Sequence, residues 1–379
     1  MQIKNTKGEL LLTIEIDLHG ADLRSADLNL MDLRKANLSR ANMEFATLKS
    51  ADLQGANLSE ANLQKATLRK AKLGKANLCE ANLIGADLSG AKLESVNLNG
   101  ADLSESTLLE VDLTGAMLVG SILKTAVLQD ANLTRADLRE AKLCGANFRD
   151  ADLENADLRD ADLTSADLRE ANLCGADLRG ANLTKADLSE VDLQRVDLRW
   201  ANLTDADLRD ANLAGADLTG ADLRRADLRG ANLEFANFKY ADLRGVDLNG
   251  ASLRFADLSH ANLMKVILRT VDLRGTYFNG AKLTGADLTE ADLSESYLEG
   301  ANLPKGVIYI KGADWCWNAI VMHGYIRIGC KHYTIDEWDA FSDDEIARMD
   351  TNALSFWQAN KQEIMAAARA MQIQSTEAV

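Results

Sequence analysis

The sequence contains little of what most catalytic or metal-dependent proteins use. Its 379 residues include one proline, four histidines and five cysteines, and aromatic residues make up only 5%. It has no Gly-rich phosphate loop and no metal-binding helix motif. Carboxylates are abundant, but they stand at fixed repeat positions, so no acid–base pair with separated pKa values can be singled out. We therefore expect a protein that is not an enzyme and that uses no cofactor.

Other absences bear on location and partners. No run of 18 apolar residues is present, so we expect no membrane-spanning helix. Residues 1–5 lack the apolar core of a signal peptide, and Cys79, Cys144 and Cys174 are too widely separated for a disulfide framework, which together predict a cytoplasmic protein. The net charge of −16 argues against direct nucleic-acid binding and is compatible with a basic protein partner.

The dominant feature that is present is a five-residue period. Leu occupies every fifth position from residue 18 to residue 303, and the exceptions are Met43, Phe148, Phe238 and Phe278. The residue two positions earlier is mostly Ala, and Asp or Asn usually lies between them. Positions two apart in an extended segment face the same way, so Ala and Leu should point inward and Asp or Asn outward. A period of five would spread Leu around a helix, so each unit is predicted to be an extended segment followed by a turn.

The repeated units Ala-Asp-Leu-x-x and Ala-Asn-Leu-x-x resemble the pentapeptide repeat family. The resemblance implies an all-β solenoid, namely a right-handed quadrilateral parallel β-helix with four pentapeptides per coil. At the usual spacing of about 4.8 Å, about 14 coils would form a rod of roughly 70 Å. We expect three parts: an N-terminal capping hairpin at residues 1–15, the β-helix at 16–303, and a small α+β C-terminal module for capping or interaction at 304–379.

With four units per coil, residues 20 apart are stacked neighbours, and two opposite faces of the rod become acidic. The strongest outward column is Asp137, Asp157, Asp177, Asp197 and Asp217. Like charges about 4.8 Å apart repel by roughly 0.9 kcal/mol per pair in bulk water, and the parallel column that begins at Arg139 should offset much of this. Two interpretations stay open: a self-compensated, solvated charge lattice, or an acidic surface for the basic groove of a protein partner.

Outward aromatic residues predict a second surface, on the C-terminal third of the rod. Phe235 and Phe255 should lie one coil apart at one corner, and Tyr277 and Tyr297 just past that corner on the next face, which also carries Tyr240 and Trp200. An exposed patch of this kind usually marks a docking site. Either a partner binds there or the C-terminal segment of the chain covers it.

The segment 304–379 has no repeat. Val307–Ile310 and Tyr325–Ile328 are typical of short strands, and the capping boxes that begin at Thr334 and Ser342 predict two short helices. A longer helix is expected from about residue 352 to 371, and its apolar side should consist of Leu354, Trp357, Ile364 and Met365. So small a core should lean on the last coils or pair with a second copy in a homodimer.

A weak metal signal lies in the same segment. Cys316, His323, Cys330 and His332 offer two thiols and two imidazoles, which are zinc ligands. The spacing lacks a Cys-x-x-Cys pair, and the preferred interpretation is two buried thiols and two ordinary histidines without a metal.

Some members of the resembled family inhibit DNA gyrase or protect it from quinolones and are described as mimics of duplex DNA. The resemblance therefore implies a type II topoisomerase partner, although no functional residue of those members can be matched here. Our leading hypothesis is a non-catalytic binding or scaffold protein, most specifically a DNA-mimic modulator of DNA gyrase or another DNA-binding protein. The alternative is a structural or targeting adaptor, such as a bacterial or phage effector, whose C-terminal module carries partner specificity.

Overall fold

The repeat region winds into a rod in which each coil takes twenty residues. Parallel bridges join residues 20 apart without interruption, from Asp17 with Asn37 to Lys282 with Asn302. One revolution therefore takes four pentapeptides, as predicted. This computed structural model describes residues 2–4, 10–13, 17–293, 295–311, 318–322, 325–328, 331–349 and 352–376.

Backbone hydrogen bonds between coils repeat at every unit. The Leu138 N–H donates to the Asp157 carbonyl at 2.7 Å, and the Asp157 N–H donates to the Ala136 carbonyl at 2.9 Å. Within a unit, the Ala141 N–H donates to the Leu138 carbonyl at 3.1 Å and closes the turn. Each unit thus contributes one bridged residue and one corner, so all four sides stay short.

The axis of the rod is filled by the small residues and the leucines. Leu138 and Leu158 are fully buried, and Phe148, Phe238 and Phe278 are buried just as completely in leucine positions. Where Ser replaces Ala, its hydroxyl finds a backbone acceptor: Ser106 Oγ donates to the Leu103 carbonyl at 2.6 Å. The core therefore tolerates a hydroxyl without leaving a polar group unsatisfied.

The corners explain why Asp and Asn recur before the leucine. The last residue of a unit has positive φ even when it is not Gly, with values from 52° to 63°. The carboxylate or amide oxygen at the Asp/Asn position accepts a hydrogen bond from the N–H two residues later, as Asp187 does from Ser189 at 3.1 Å. Short polar side chains that cap a turn in this way are the preferred residues at such a position.

At the N-terminus, β1 (Gln2–Lys4) pairs antiparallel with β2 (Leu10–Thr13). The turn residues 5–9 lie outside the described residues. The predicted role of this segment as a cap on the first coil stays a prediction.

The C-terminal segment folds into a sheet followed by helices. The strands β3 (Val307–Lys311), β4 (Asn318–Met322), β5 (Tyr325–Ile328) and β6 (Lys331–Thr334) form an antiparallel sheet in that order. The helices are α1 (Ile335–Ala340), α2 (Asp343–Met349) and α3 (Ala353–Thr376). Both predicted capping boxes are formed, since Thr334 Oγ1 and Ser342 Oγ accept from the Glu337 and Glu345 N–H groups at 3.2 and 3.3 Å.

The sheet lies between the last coils and the helices. Alternation along the strands places Val307 and Ile320 on the rod core, with Tyr309 and Met322 beside them. The opposite face packs on the helices, where Trp338, Trp357, Ile364 and Met365 are buried and Leu354 is partly buried. Because both faces of the sheet are occupied, this segment docks on its own rod, and pairing with a second copy stays a prediction. In the described part of the chain, no helix has the length and apolarity needed to cross a bilayer.

Candidate interaction surfaces of the rod

The predicted acidic column is a ladder of alternating charges. Arg139 Nη2 lies 2.7 Å from Asp137 Oδ2, and its Nε lies 3.6 Å from Asp157 Oδ2 of the next coil. The pattern continues through Arg159, Arg179 and Arg199. The last contact of the ladder joins Arg199 Nε to Asp217 Oδ2 at 3.8 Å. The full set of bridged carboxylates is Asp137, Asp157, Asp177, Asp197 and Asp217.

These ion pairs favour the ionised form of the carboxylates whose pKa they lower. The Arg139 guanidinium lowers the pKa of Asp137, and the Arg159 guanidinium lowers the pKa of Asp157. A second ladder on the opposite face has the same form, with Arg169 Nη2 at 2.6 Å from Asp167 and its Nε at 3.3 Å from Asp187. Both ladders have the geometry of a self-compensated lattice, and a role of the Asp137 column in partner binding stays a prediction.

A row of carboxylates with few ion pairs lies at one corner of the rod, and it was not among the surfaces predicted from the sequence. Its six side chains occupy the last position of stacked units, and all are exposed and have positive φ. We call this row the acidic ridge, and its members are Glu110, Asp130, Asp150, Glu170, Glu190 and Asp210.

Few ion pairs form along the acidic ridge, although Arg149, Arg169 and Arg209 stand just before three of its members in the sequence. Arg149 pairs with Glu170 and lies 3.6 Å from Asp150, whereas the other four members form no ion pair with any described residue. Partial loss of hydration and the neighbouring carboxylates of Glu170 and Asp130 raise the pKa of Asp150. At about 4.8 Å per coil the ridge is roughly 24 Å long. The same spacing of 20 would have found it, but at the corner position only the aromatic residues were followed from coil to coil, and the charged columns were followed at the Asp/Asn position and at the Arg two residues later.

The aromatic residues form three stacked pairs. Ring centroids are 5.2 Å apart for Phe235 and Phe255, and 4.7 Å apart for Tyr277 and Tyr297. Tyr240 stacks at 5.1 Å on His260, which the sequence analysis did not include because it considered only Phe, Tyr and Trp. We call these residues and Trp200 the aromatic surface. The members named in advance as a patch therefore lie on two adjacent corners and the face between them.

Most of the aromatic surface stays exposed after the C-terminal segment has docked. Trp200, Phe235 and Tyr240 are 67%, 62% and 61% exposed. The described part of the C-terminal segment contacts the end of the rod through Val307 and Ile320 and leaves these rings open. Coverage by the chain itself therefore does not extend to this part of the patch.

The predicted zinc ligands cannot be assembled from the described residues. Cys316, His323 and Cys330 lie outside them, and His332 packs its ring against Tyr325 at 4.9 Å. No group of His, Cys, Asp and Glu within the described ranges is arranged to hold a metal ion.

The comparisons with known proteins agree on the family. A model of pentapeptide repeats matches in eight copies, at residues 16–55, 56–94, 86–124, 121–160, 156–195, 192–230, 231–269 and 268–304. Comparison with curated proteins gave no significant match.

Two solved structures illustrate the similarity. HetL, a pentapeptide repeat protein involved in heterocyst differentiation regulation from the cyanobacterium Nostoc, is 34% identical over 70% of this chain and 91% of its own, with a TM-score of 0.17. QnrB1, a plasmid-mediated fluoroquinolone resistance protein, is 25% identical over 45% of this chain and 84% of its own, with a TM-score of 0.26. The repeat model covers most of the chain, so this protein belongs to the pentapeptide repeat family, and its rod is a right-handed quadrilateral β-helix.

Proposed function

We propose that this protein is a non-catalytic scaffold whose rod, within residues 16–303, binds a protein partner along the acidic ridge. The observation that carries the proposal is the contrast between two kinds of carboxylate column. The Asp137 column is paired with Arg at every coil, whereas among the described residues only Arg149 forms ion pairs with the ridge, and it reaches two of the six carboxylates. A charge row left unmatched on a rigid frame attracts a partner of opposite charge.

A basic groove that normally binds DNA fits this surface. The ridge presents one carboxylate per coil, about 4.8 Å apart, and a DNA strand presents one phosphate per about 3.4 Å of helix axis. Asp152 and Asp192 lie just past the same corner and form no ion pair with described residues, so they widen the acidic strip. The most specific form of the proposal is therefore a DNA-mimic modulator of DNA gyrase or another DNA-binding protein.

The aromatic surface supplies the second contact in this proposal. Trp200 lies level with the end of the ridge, and the other exposed rings lie in the C-terminal third of the rod, beyond Asp210. Aromatic residues give large contact area at low entropic cost and are frequent at the centre of protein interfaces. Charge on the ridge would speed the encounter, and the rings would hold the complex.

The test compares two variants with equal change in net charge. The ridge variant carries Asp130→Asn, Asp150→Asn, Glu170→Gln and Glu190→Gln. The control carries Glu44→Gln, Glu80→Gln, Glu94→Gln and Glu105→Gln, which lie on different columns of the rod. Both are assayed for their effect on gyrase supercoiling, with and without a quinolone, and used as bait in a bacterial lysate beside the unmodified protein.

The expected result is that the ridge variant loses at least tenfold in potency while the scattered control keeps its effect. Absence of any effect of the unmodified protein on supercoiling rejects gyrase as the partner. If no captured protein distinguishes the ridge variant from the control, the ridge is only a solvated surface. Replacing Phe235, Phe255, Tyr277 and Tyr297 by Ser should shorten the lifetime of the complex and leave its association rate nearly unchanged.

A further inference from the structure

A cavity of about 510 Å³ lies where the C-terminal sheet meets the last coils. One wall is the turn from Leu288 to Asp292, and the other is the rod-facing side of β4, β5 and β6. The sheet contributes Met322, Tyr325, Arg327 and His332 to this wall. The cavity is separate from the acidic ridge, and the proposed function makes no use of it.

The walls of the cavity combine an apolar floor with few polar groups. Leu288 and Ala291 are nearly fully buried, and Met322 is half-buried beside them. Tyr325 stands at the opening with 46% of its surface exposed, and its ring lies 4.9 Å from that of His332. Sites of this size and composition usually take a small molecule with an apolar body and one or two polar groups.

Arg327 is the polar group that stands out. Only 13% of its side chain is exposed, and its Nη1 lies 2.7 Å from Asp292 Oδ1, so that contact fixes the guanidinium. Its Nε is buried and has no hydrogen-bond partner among the described residues. Because Nε is closed off from solvent in this arrangement, an acceptor reaches it only if the side chain shifts, and satisfying the buried donor would favour that shift.

The shape of the Arg327 guanidinium indicates which kind of acceptor group would bind it. A guanidinium offers a planar fork of donors that matches the two oxygens of a carboxylate, and here one side of the fork is already used by Asp292. His332 beside it is held neutral more strongly than usual, because burial and then the charge of Arg327 lower its pKa. A neutral imidazole can add a further hydrogen bond without adding a second cation.

We propose that this cavity binds a small carboxylate with an apolar or aromatic body, whose carboxylate accepts from Arg327 and whose body lies on Leu288, Ala291 and Met322. Binding would join the C-terminal sheet to the last coils, because the ligand contacts both walls.

The experiment uses the full chain and a matched pair of probes, 2-naphthoate and the uncharged 2-naphthamide, with binding measured by isothermal titration calorimetry at pH 7.5. The unmodified protein is expected to bind one equivalent of 2-naphthoate, at least tenfold more tightly than the amide. Arg327→Met should remove this preference for the charged probe. The control Arg369→Met breaks an exposed pair with Asp339, 2.6 Å long, elsewhere in the same segment and should change nothing.

A second variant is needed because Arg327→Met could also loosen the contact between the C-terminal sheet and the last coils. Met322→Trp fills the cavity from β4 and leaves the Arg327–Asp292 pair in place, so it should abolish binding of both probes while thermal unfolding stays cooperative. Equal affinity for the two probes, no saturable binding by the unmodified protein, or full binding by Met322→Trp would each overturn the proposal. None of these outcomes affects the test of the acidic ridge, which is read out on a protein partner.

Discussion

Replacing a single central leucine tests how the rod is stabilised. Leu158 is fully buried, and its neighbours in the stack are Leu138 and Leu178, which are equally buried. Leu158→Ala removes one methine and two methyl carbons from an axis that has backbone on all sides and cannot collapse inward. Substitutions of this kind cost about 3–5 kcal/mol, at the upper end where the site relaxes least.

The repeat supplies an internal control for this prediction. Leu28 holds the same position within its pentapeptide in the first coil, on the opposite face of the rod, but is only partly buried. Leu28→Ala should therefore cost about 1–2 kcal/mol, because less apolar area is lost and water can reach the gap. Urea unfolding followed by circular dichroism measures both values, with the slope of the transition as a check that the native state is otherwise unchanged.

Equal losses in the free energy of unfolding of the two variants would contradict the expected dependence on burial. Equal losses would mean that the coils contribute independently of burial, as in a chain of units without a shared core. A loss confined to the local coils, seen by hydrogen exchange as fraying on both sides of residue 158, would agree with nearest-neighbour coupling in a solenoid.

Three further predictions follow from local geometry. The Arg34 guanidinium lowers the pKa of Asp32 to about 2, so the ion pair stabilises the fold above the usual pKa of an aspartate and is lost as the pH falls from about 4 towards 2. Asp32→Asn should therefore flatten the acid limb of the pH–stability curve in that window, and an unchanged limb would contradict the pairing. Gly220 and Gly120 both have positive φ, but a Cβ at Gly220 would overlap the Trp200 ring, whereas nothing lies within 4 Å of a Cβ at Gly120. Gly120→Ala should therefore lower the free energy of unfolding by about 1 kcal/mol and Gly220→Ala by more. Only Gly220→Ala should change the tryptophan fluorescence. Thr334→Ala removes one half of the capping box of α1 and should lower the free energy of unfolding by about 1 kcal/mol. The control is Thr284→Ala at an exposed position in the last coils, and equal losses in the two variants would argue that the cap is not formed in solution.

The sequence was sufficient for the rod because one physical rule repeats at every unit. Leu at every fifth position requires an inward stack, and residues 20 apart then become neighbours, as the Asp137–Asp157 bridge shows. The two C-terminal strands with apolar alternation, Val307–Ile310 and Tyr325–Ile328, could be predicted for the same reason. Strand β6, Lys331–Thr334, could not, because its polar side chains are partly exposed and only pairing with β5 makes it a strand.

The surfaces were harder to predict, for a reason visible in Asp137 and Asp150. Both are outward carboxylates in regular columns, yet Asp137 pairs with an Arg two residues later, whereas Asp150 shares Arg149 with Glu170 and otherwise lies among carboxylates. Which of them keeps a free charge depends on side-chain reach at a corner, and the order of residues along one unit does not reveal it. The cavity at Arg327 depends on the docking of the sheet and had no signal in the repeat.

The positive-φ corner has a consequence for how such a chain can vary. Its side chain leaves the backbone at the outermost point of the coil, so it lies outside the leucine stack and takes no part in the backbone hydrogen bonds between coils. Replacing Glu190 by Lys would alter the charge sequence along the rod and leave the frame as it was. One backbone fold can therefore carry many different charge sequences. The binding specificity of such a rod can change coil by coil without any change in the residues that fold it.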